Sequence, residues 1–402
     1  MRSLHQFCVA SCAWAVLALG AAVAAGAAET AAFRPATAEG AELKLVGDLA
    51  VLTLQGSPDK MGRQSAALTG DAMKRVAEFP RLLVMLMGRQ GEWAKHAGNS
   101  RAMFEQFPAD HRQELDACAA AAGMDREKLV ILNTILDVYG GFGCSSLIAE
   151  GRRSATGAPL FGRNVDFPLS ALSKLNLVTV YRPEKKHAFA AVGYPGLLGV
   201  VSGMNDQGLA LAVHGVFSAG RGGTSFDVKG VPCTMLCRHV LEECATVEEA
   251  EKLLKQSKHT TALCVVLCDR TRGAVVEVSP GGTAARASED GLCACTNHFR
   301  AGRRIAAEVC PRYATLRQAA RQDKLRLEDI ARKLHEVNQG AMTVQTMVFA
   351  PASLELHLAA GSCPASALPL KRLAMGPLLG VAETAAAAPA ANGTPAADAK
   401  RD

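Results

Sequence analysis

The sequence predicts an α+β fold in which a largely helical first third precedes a succession of short strands. Three observations carry that expectation. Between Met61 and Val138 apolar residues recur at threes and fours, as in Met73, Val76, Phe79, Leu82 and Leu83, and again in Leu129, Leu132 and Ile135, the spacing of one helix face. After Gly143, short apolar runs alternate with Gly-containing turns, as strands do. Hydrophobic residues make up 49% and charged residues 20% of 402 positions, a balance that can bury a core in one large or two medium domains. The net charge of +6 is diffuse and contains no basic tract, so nucleic acid is excluded as a partner.

Taken in order, residues 1–28 read as a secretory signal. Arg2 and His5 lead into an apolar run from Phe7 to Val23, and small residues from Ala24 to Ala28 precede Glu29. No later stretch is long and apolar enough to span a bilayer, so the mature protein is expected to be secreted or periplasmic. Loss of Cys8 and Cys12 with the signal leaves eleven of the thirteen cysteines. An odd number in an exported protein points to one thiol outside the disulfide set. Cys144 is the candidate, expected to be the reactive thiol, with the other ten in disulfides or in the core.

Two apolar runs in 41–56, split by Gly47-Asp48, read as a strand pair. A helix is expected from Met61 to Met87, divided at Pro80, followed by helices over 109–121 and 125–138. Residues 144–149 and 159–167 flank the polar run 150–157 as the arms of a β-hairpin. Strands follow at Leu177–Tyr181, Ala188–Val192, Leu197–Ser202 and Ala210–His214, the last after a turn at Met204–Leu209. The Gly-rich stretch 215–232 lacks the Lys-Ser/Thr end of a phosphate loop and reads as a lip over the substrate site. Next come a helix over 232–256, with Thr246 to Glu249 as a capping box, and strands at 262–268 and 274–279. Helices at 311–321 and 327–337 precede strands at 344–349 and 354–358, and 376–402 reads as a low-complexity, disordered tail. The pairs Cys233/Cys237, Cys264/Cys268 and Cys293/Cys295 lack zinc-module spacing, so neither a metal nor a cofactor is expected.

The chemistry concentrates in Gly141-Phe142-Gly143-Cys144-Ser145-Ser146 and Phe161-Gly162-Arg163-Asn164-Val165-Asp166-Phe167. A hairpin returns Arg163 and Asp166 to the neighbourhood of Cys144. If the Gly143–Cys144 bond is cut, Cys144 carries both a thiol and an α-amine, whose ordinary pKa of about 7.7–8.0 suits it as the thiol's general base. Arg163 and Asp166 would position and tune the pair. Gly143 tolerates the backbone conformation that self-attack requires.

Gly-Cys-Ser-Ser-Leu-Ile-Ala followed by Gly-Arg-Asn-Val-Asp-Phe resembles the N-terminal-nucleophile (Ntn) cysteine hydrolases. The resemblance is to the acyl-CoA:6-aminopenicillanate acyltransferase family and to the acid ceramidase and N-acylethanolamine acid amidase group, with bile-salt and penicillin V hydrolases more distant. It rests on two further matches, Asn205-Asp206-Gln207-Gly208-Leu209 and Cys295-Thr296-Asn297-His298-Phe299. It implies a four-layer αββα sandwich, self-cleavage between Gly143 and Cys144, a helical propeptide or small chain at 29–143, and a catalytic chain at 144–375. It also implies hydrolysis of, or acyl transfer from, a linear N-acyl amide or acyl thioester, with the cleaved N-terminal fragment as a partner. Asn297 would donate its side-chain amide to the oxyanion. Arg312 lies where relatives carry a second active-site arginine, although Arg300, Arg303 and Arg304 compete. Asn164 lies within the Gly-Arg-Asn element, and His214 stands where relatives place an amide. His298 leaves open a Cys–His thiol protease without self-cleavage. A catalytically silent, disulfide-rich binding protein is the rival from another class.

Overall fold

The computed structural model describes residues 33–139, 143–168, 170–216, 226–301 and 310–381. The expected signal at 1–28, Gly141 and Phe142, residues 217–225 of the Gly-rich stretch, Arg303, Arg304 and the tail beyond 381 lie outside them. Strands β1 (Ala36–Ala38), β2 (Ala41–Val46) and β3 (Leu49–Gly56) come first. They precede helices α1 (Pro58–Ala77), α2 (Phe79–Leu86), α3 (Trp93–Phe104), α4 (Ala109–Ala121) and α5 (Arg126–Tyr139). The hairpin β4 (Gly143–Ala149) and β5 (Leu160–Asp166) leads to β6 (Leu177–Pro183), β7 (Phe189–Gly193), β8 (Ser202–Asn205) and β9 (Ala210–Gly215). Then follow α6 (Cys233–Glu243), α7 (Val247–Gln256), β10 (Leu263–Cys268), β11 (Gly273–Ser279), β12 (Gly282–Ala287) and β13 (Leu292–Cys295). The described chain closes with α8 (Pro311–Arg317), α9 (Leu327–Glu336), β14 (Thr343–Ala350), β15 (Glu355–Ala360), β16 (Lys371–Ala374) and α10 (Met375–Leu379).

Two sheets form. One has ten strands in the order β1-β2-β3-β6-β7-β8-β9-β10-β11-β12, the other six in the order β13-β4-β5-β14-β15-β16. Their strands alternate between two cores, as a period of two requires. In β10, Leu263, Val265 and Leu267 pack under the helices α1, α5, α6 and α7. Cys264, Val266 and Cys268 face the other sheet, meeting Ile148, Phe161, Met347 and Phe349. On the far side of the six-stranded sheet, Leu147, Ala149 and Leu160 pack against Leu316, Ile330 and Leu334 of α8 and α9. Helix, sheet, sheet and helix make the four-layer αββα sandwich. Among the described residues no helix is long and apolar enough to cross a membrane.

Several boundaries differ from the sequence expectation. The stretch Leu197–Ser202 is a loop, because Asn133 Oδ1 takes the amides of Leu198 and Gly199 at 2.8 and 3.1 Å and Thr234 O takes that of Val200 at 2.8 Å. With those donors committed elsewhere, no ladder forms until Ser202. The 232–256 helix is two helices, broken where Cys244 turns extended and Thr246 caps Glu249 N at 3.2 Å. The fold runs past 376, since Met375 and Leu379 of α10 are buried in the core between the sheets. All eleven cysteines from Cys118 to Cys363 are free thiols, nine of them buried. The predicted disulfide set is therefore absent from this structure, and most of these side chains serve as small apolar filler.

A buried ionic cluster ties the segment before Gly143 to the segment after it. Arg238 on α6 donates to both oxygens of Glu114 on α4 (3.1 and 2.5 Å) and to Glu242 (2.8 Å), with its guanidinium 4.6 Å from the Tyr181 ring centroid. His111 and Lys186 complete the shell of Glu242 at 2.9 and 2.7 Å. Although burial opposes ionisation, Arg238, His111 and Lys186 hold Glu242 far below the usual carboxylate range. Asp110, His111 and Glu242 converge in the manner of metal ligands, but the Lys186 ammonium already bridges the two carboxylates.

Candidate active site

Hairpin register builds the site. Cys144 stands opposite Val165, Ser146 opposite Arg163 and Gly143 opposite Asp166. Residues paired across antiparallel strands share a face, so Cys144, Ser146, Arg163 and Val165 look into the space between the sheets. Gly143, Asn164 and Asp166 look toward α9. Arg163 and Asp166, three apart on one strand, are thus on opposite faces and flank the Gly143–Cys144 junction from two sides.

Cys144 is fully buried. Its Sγ donates to the carbonyl of Val213 at 3.5 Å, and Arg163 Nη2 donates to the same carbonyl at 2.8 Å. Arg163 Nε and Nη1 are sealed from solvent without a partner, an unusual arrangement for donors this costly to bury. Burial pushes the Cys144 thiol up to about 11 against the pull of Arg163 and Arg312. In the uncleaved chain the thiol is therefore protonated at neutral pH and needs a base.

Asn297 sits directly after β13 and grips the junction. Its Oδ1 accepts from the Cys144 amide at 3.0 Å and from Arg312 Nη2 at 2.8 Å, while its Nδ2 donates to Gly215 O at 2.8 Å. Because a guanidinium only donates, Arg312 fixes which way the Asn297 amide points. Arg312 Nη1 also donates to Cys144 O at 2.8 Å and lies 3.7 Å from Asp166 Oδ2. Arg300 instead lies over the Tyr313 ring at 4.2 Å, so of the two candidates among the described residues Arg312 is the one at the junction.

Asp166 accepts from Thr343 Oγ1 at 2.6 Å and Gln339 Nε2 at 2.8 Å. Nothing local in the sequence marks Thr343 and Gln339; only the pairing of β5 with β14 brings Thr343 opposite Asp166. A Cβ at residue 143 would strike the Gln339 amide and come within 3.1 Å of Asp166 Cβ, so the glycine is required here by space.

The remaining candidates do other work. Asn164 donates to Leu334 O at 2.7 Å and accepts from Thr346 at 2.8 Å, pinning α9 to the sheet. His214 Nε2 pairs with Ser146 Oγ at 2.8 Å and His298 Nδ1 with Thr296 Oγ1 at 3.0 Å. Neither ring takes the place of Val213 O at the Cys144 sulfur. Asn205 closes its turn by accepting from Leu209 N at 2.9 Å. One thiol with acidic character is Cys310, which sequence reasoning missed. Despite partial burial, hydrogen bonds from His298, Tyr313 and Thr296 lower it to about 6.

Beside the junction lies an apolar cleft of about 590 Å³, a volume that includes space open to solvent. Val76, Phe79, Leu132 and Ile135 line it from the segment before Gly143, and Val165 and Leu172 from the segment after it. Val165 is the direct cross-strand partner of Cys144.

Comparison with known proteins bears on this arrangement. The chain is 25% identical over 270 residues to an uncharacterised protein of Archaeoglobus fulgidus, a match covering 59% of this chain and 44% of that protein. It thus spans less than half of that relative's length. Among solved structures it is similar to the N-acylethanolamine-hydrolyzing acid amidase ortholog of Caenorhabditis elegans (15% identity, TM-score 0.42, 52% of this chain and 93% of that one). It is also similar to a mutant conjugated bile acid hydrolase of Clostridium perfringens (14%, 0.41, 58% and 93%) and to penicillin V acylase of Agrobacterium tumefaciens (16%, 0.40, 58% and 86%). The family described as acyl-coenzyme A:6-aminopenicillanic acid acyl-transferase matches residues 153–350, a span that includes Arg163, Asp166, Asn297 and Arg312 and begins after Cys144. Over residues 153–350, just under half of its length, the chain is similar to the acyl-coenzyme A:6-aminopenicillanic acid acyl-transferase family.

Proposed function

We propose that the chain cuts itself before Cys144 and then acts as an Ntn cysteine hydrolase or acyltransferase on a linear N-acyl amide with an apolar acyl group. The observation that carries this reading is the double hold on Cys144, with its amide on Asn297 Oδ1 and its carbonyl on Arg312, while Asp166 stands opposite Gly143. In the first reaction Cys144 Sγ adds to the Gly143 carbonyl carbon and its proton passes to the Cys144 nitrogen as the C–N bond breaks. Water then hydrolyses the resulting thioester, freeing the thiol and an α-amine.

That amine supplies the base that the buried, protonated thiol lacks. It takes the thiol proton, and Sγ attacks the substrate carbonyl. The positive Arg163, whose Nε and Nη1 are otherwise unpartnered, stabilises the thiolate. Asn297 Nδ2, held in its orientation by Arg312 on Oδ1, is the neutral donor for the oxyanion. The amine leaves with the proton, and water or a second amine takes the acyl group from sulfur. The cleft beside Val165 has the apolar lining to hold an acyl chain. Export to a secreted or periplasmic site is part of the same proposal and rests on residues 1–28.

A Cys–His protease is disfavoured because His214 and His298 are engaged with Ser146 and Thr296. Intact mass and N-terminal sequencing should give two pieces, the second beginning Cys-Ser-Ser-Leu, and Cys144→Ala should remain whole. The purified wild type should then release amine from a panel of N-acyl amides. An uncleaved wild type with full activity would overturn the proposal.

A further inference from the structure

Register in both sheets sets two cysteines against each other across the sandwich. Cys264 stands opposite His214 in the ten-stranded sheet, and Cys295 stands opposite Ser146 in the six-stranded one. Each pair shares a face, and the two pairs meet, because Ser146 Oγ and His214 Nε2 are 2.8 Å apart. Cys264 and Cys295 are the other two corners of that contact. Both are buried, at 0% and 1% exposure, in the core between the sheets. Their sulfurs make weak contacts with backbone carbonyls, Cys264 to His298 O at 3.9 Å and Cys295 to Thr296 O at 3.4 Å.

We propose that Cys264 and Cys295 are a redox pair that joins the two sheets as a cystine when the chain folds in the presence of a low-molecular-weight disulfide. The Cys295 thiolate attacks one sulfur of that disulfide and expels the other as a thiolate. Cys264 then loses its proton, attacks the Cys295 sulfur and expels the second thiolate. Two electrons and two protons leave the protein, and one disulfide is reduced to two thiols. Either cysteine can make the first attack, with the roles exchanged, since the thiolate is the nucleophile in both cases. Since both sulfurs end in the core, exchange precedes closure of the sheets.

The alternative partner on the same strand is out of reach. Cys264 and Cys268 are four residues apart along β10, roughly 13 Å, beyond the roughly 7 Å limit for a cystine. Bonds between facing sheets are known in other β-sandwiches. The functional consequence here is local. Cys295 lies two residues before Asn297, so the bond would anchor the strand end that carries Asn297 to β10.

The test uses the full chain, folded once with a reduced thiol and once with a mixture of reduced and oxidised glutathione. Free thiols are blocked with N-ethylmaleimide in denaturant, and the products are mapped without reduction. The expected result is one linked peptide pair carrying Cys264 and Cys295, found only in the oxidised sample. Its reduction should lower the melting temperature by about 5 °C, a shift that Cys264→Ala should abolish. Alkylation of both cysteines in the oxidised sample, or linkage of either to a different cysteine, would overturn the inference. Because the readout is a covalent link and a melting temperature, its failure is distinct from failure of the hydrolase reading.

Discussion

Replacing Arg238 by Met should cost about 3–5 kcal/mol, and the structure says where the loss falls. Methionine keeps much of the aliphatic volume over Tyr181 but removes the two bonds to Glu114, the bond to Glu242 and a fourth to Leu198 O at 3.2 Å. Glu242 retains His111 and Lys186. Glu114, with its side chain 1% exposed, is left as a buried carboxylate without the cation it faces. A loss of that size is on the order of 10²–10³ in the folding equilibrium, a large part of an ordinary domain's stability. Urea unfolding should be measured in a Cys144→Ala background, so that one continuous chain is compared. The double variant Glu114→Leu/Arg238→Met should recover most of the loss, because it removes the stranded charge along with its partner. A single variant that loses less than about 1 kcal/mol, or a double variant no better than the single, would refute the reasoning.

Asn297→Asp keeps the acceptor that Cys144 N and Arg312 use but loses the donor, so kcat should fall by about 10²-fold or more while the chain still folds; activity within a few-fold of wild type would rule out an oxyanion role. Iodoacetamide near neutral pH should label Cys310 before Cys144 in uncleaved protein, since the first thiol lies at about 6 and the second at about 11; mass mapping after short exposure reads the order. Stability should decline as pH falls below about 6.5, because burial lowers His96, His214, His239 and His259, and the unfolded chain then binds protons that the folded one refuses. Asp137, raised by burial to about 6, acts in the opposite sense as one group against four, so urea midpoints at about pH 7.5 and pH 5 should fall in that order.

The parts of this molecule that the sequence reveals are those whose signal is local. The β4–β5 hairpin follows from apolar runs around a Gly-containing turn, and its register alone brings Arg163 and Asp166 beside Cys144. Their placement on opposite faces was also legible, since residues three apart on a strand differ in parity. Helix α3 was missed because Trp-Ala-Lys-His-Ala-Gly-Asn-Ser carries no clean apolar stripe. Leu197–Ser202 was misread because Asn133, more than sixty residues earlier, claims its amides. Thr343 and Gln339 were invisible for the same reason, being placed against Asp166 by a strand pairing of high sequence separation.

The parallel pairing of β3 with β6, Val51 with Val178 through Gly56 with Pro183, gives the N-terminal segment a duty unrelated to chemistry. β6 reads Leu-Val-Thr-Val-Tyr, and without β3 its outer row of amides and carbonyls would be an open template for any extended chain it met. A polypeptide beginning at Cys144 would therefore be prone to associate strand to strand before it could fold. The segment that precedes Gly143 thus covers, through β3, a sheet edge that would otherwise be open to other chains.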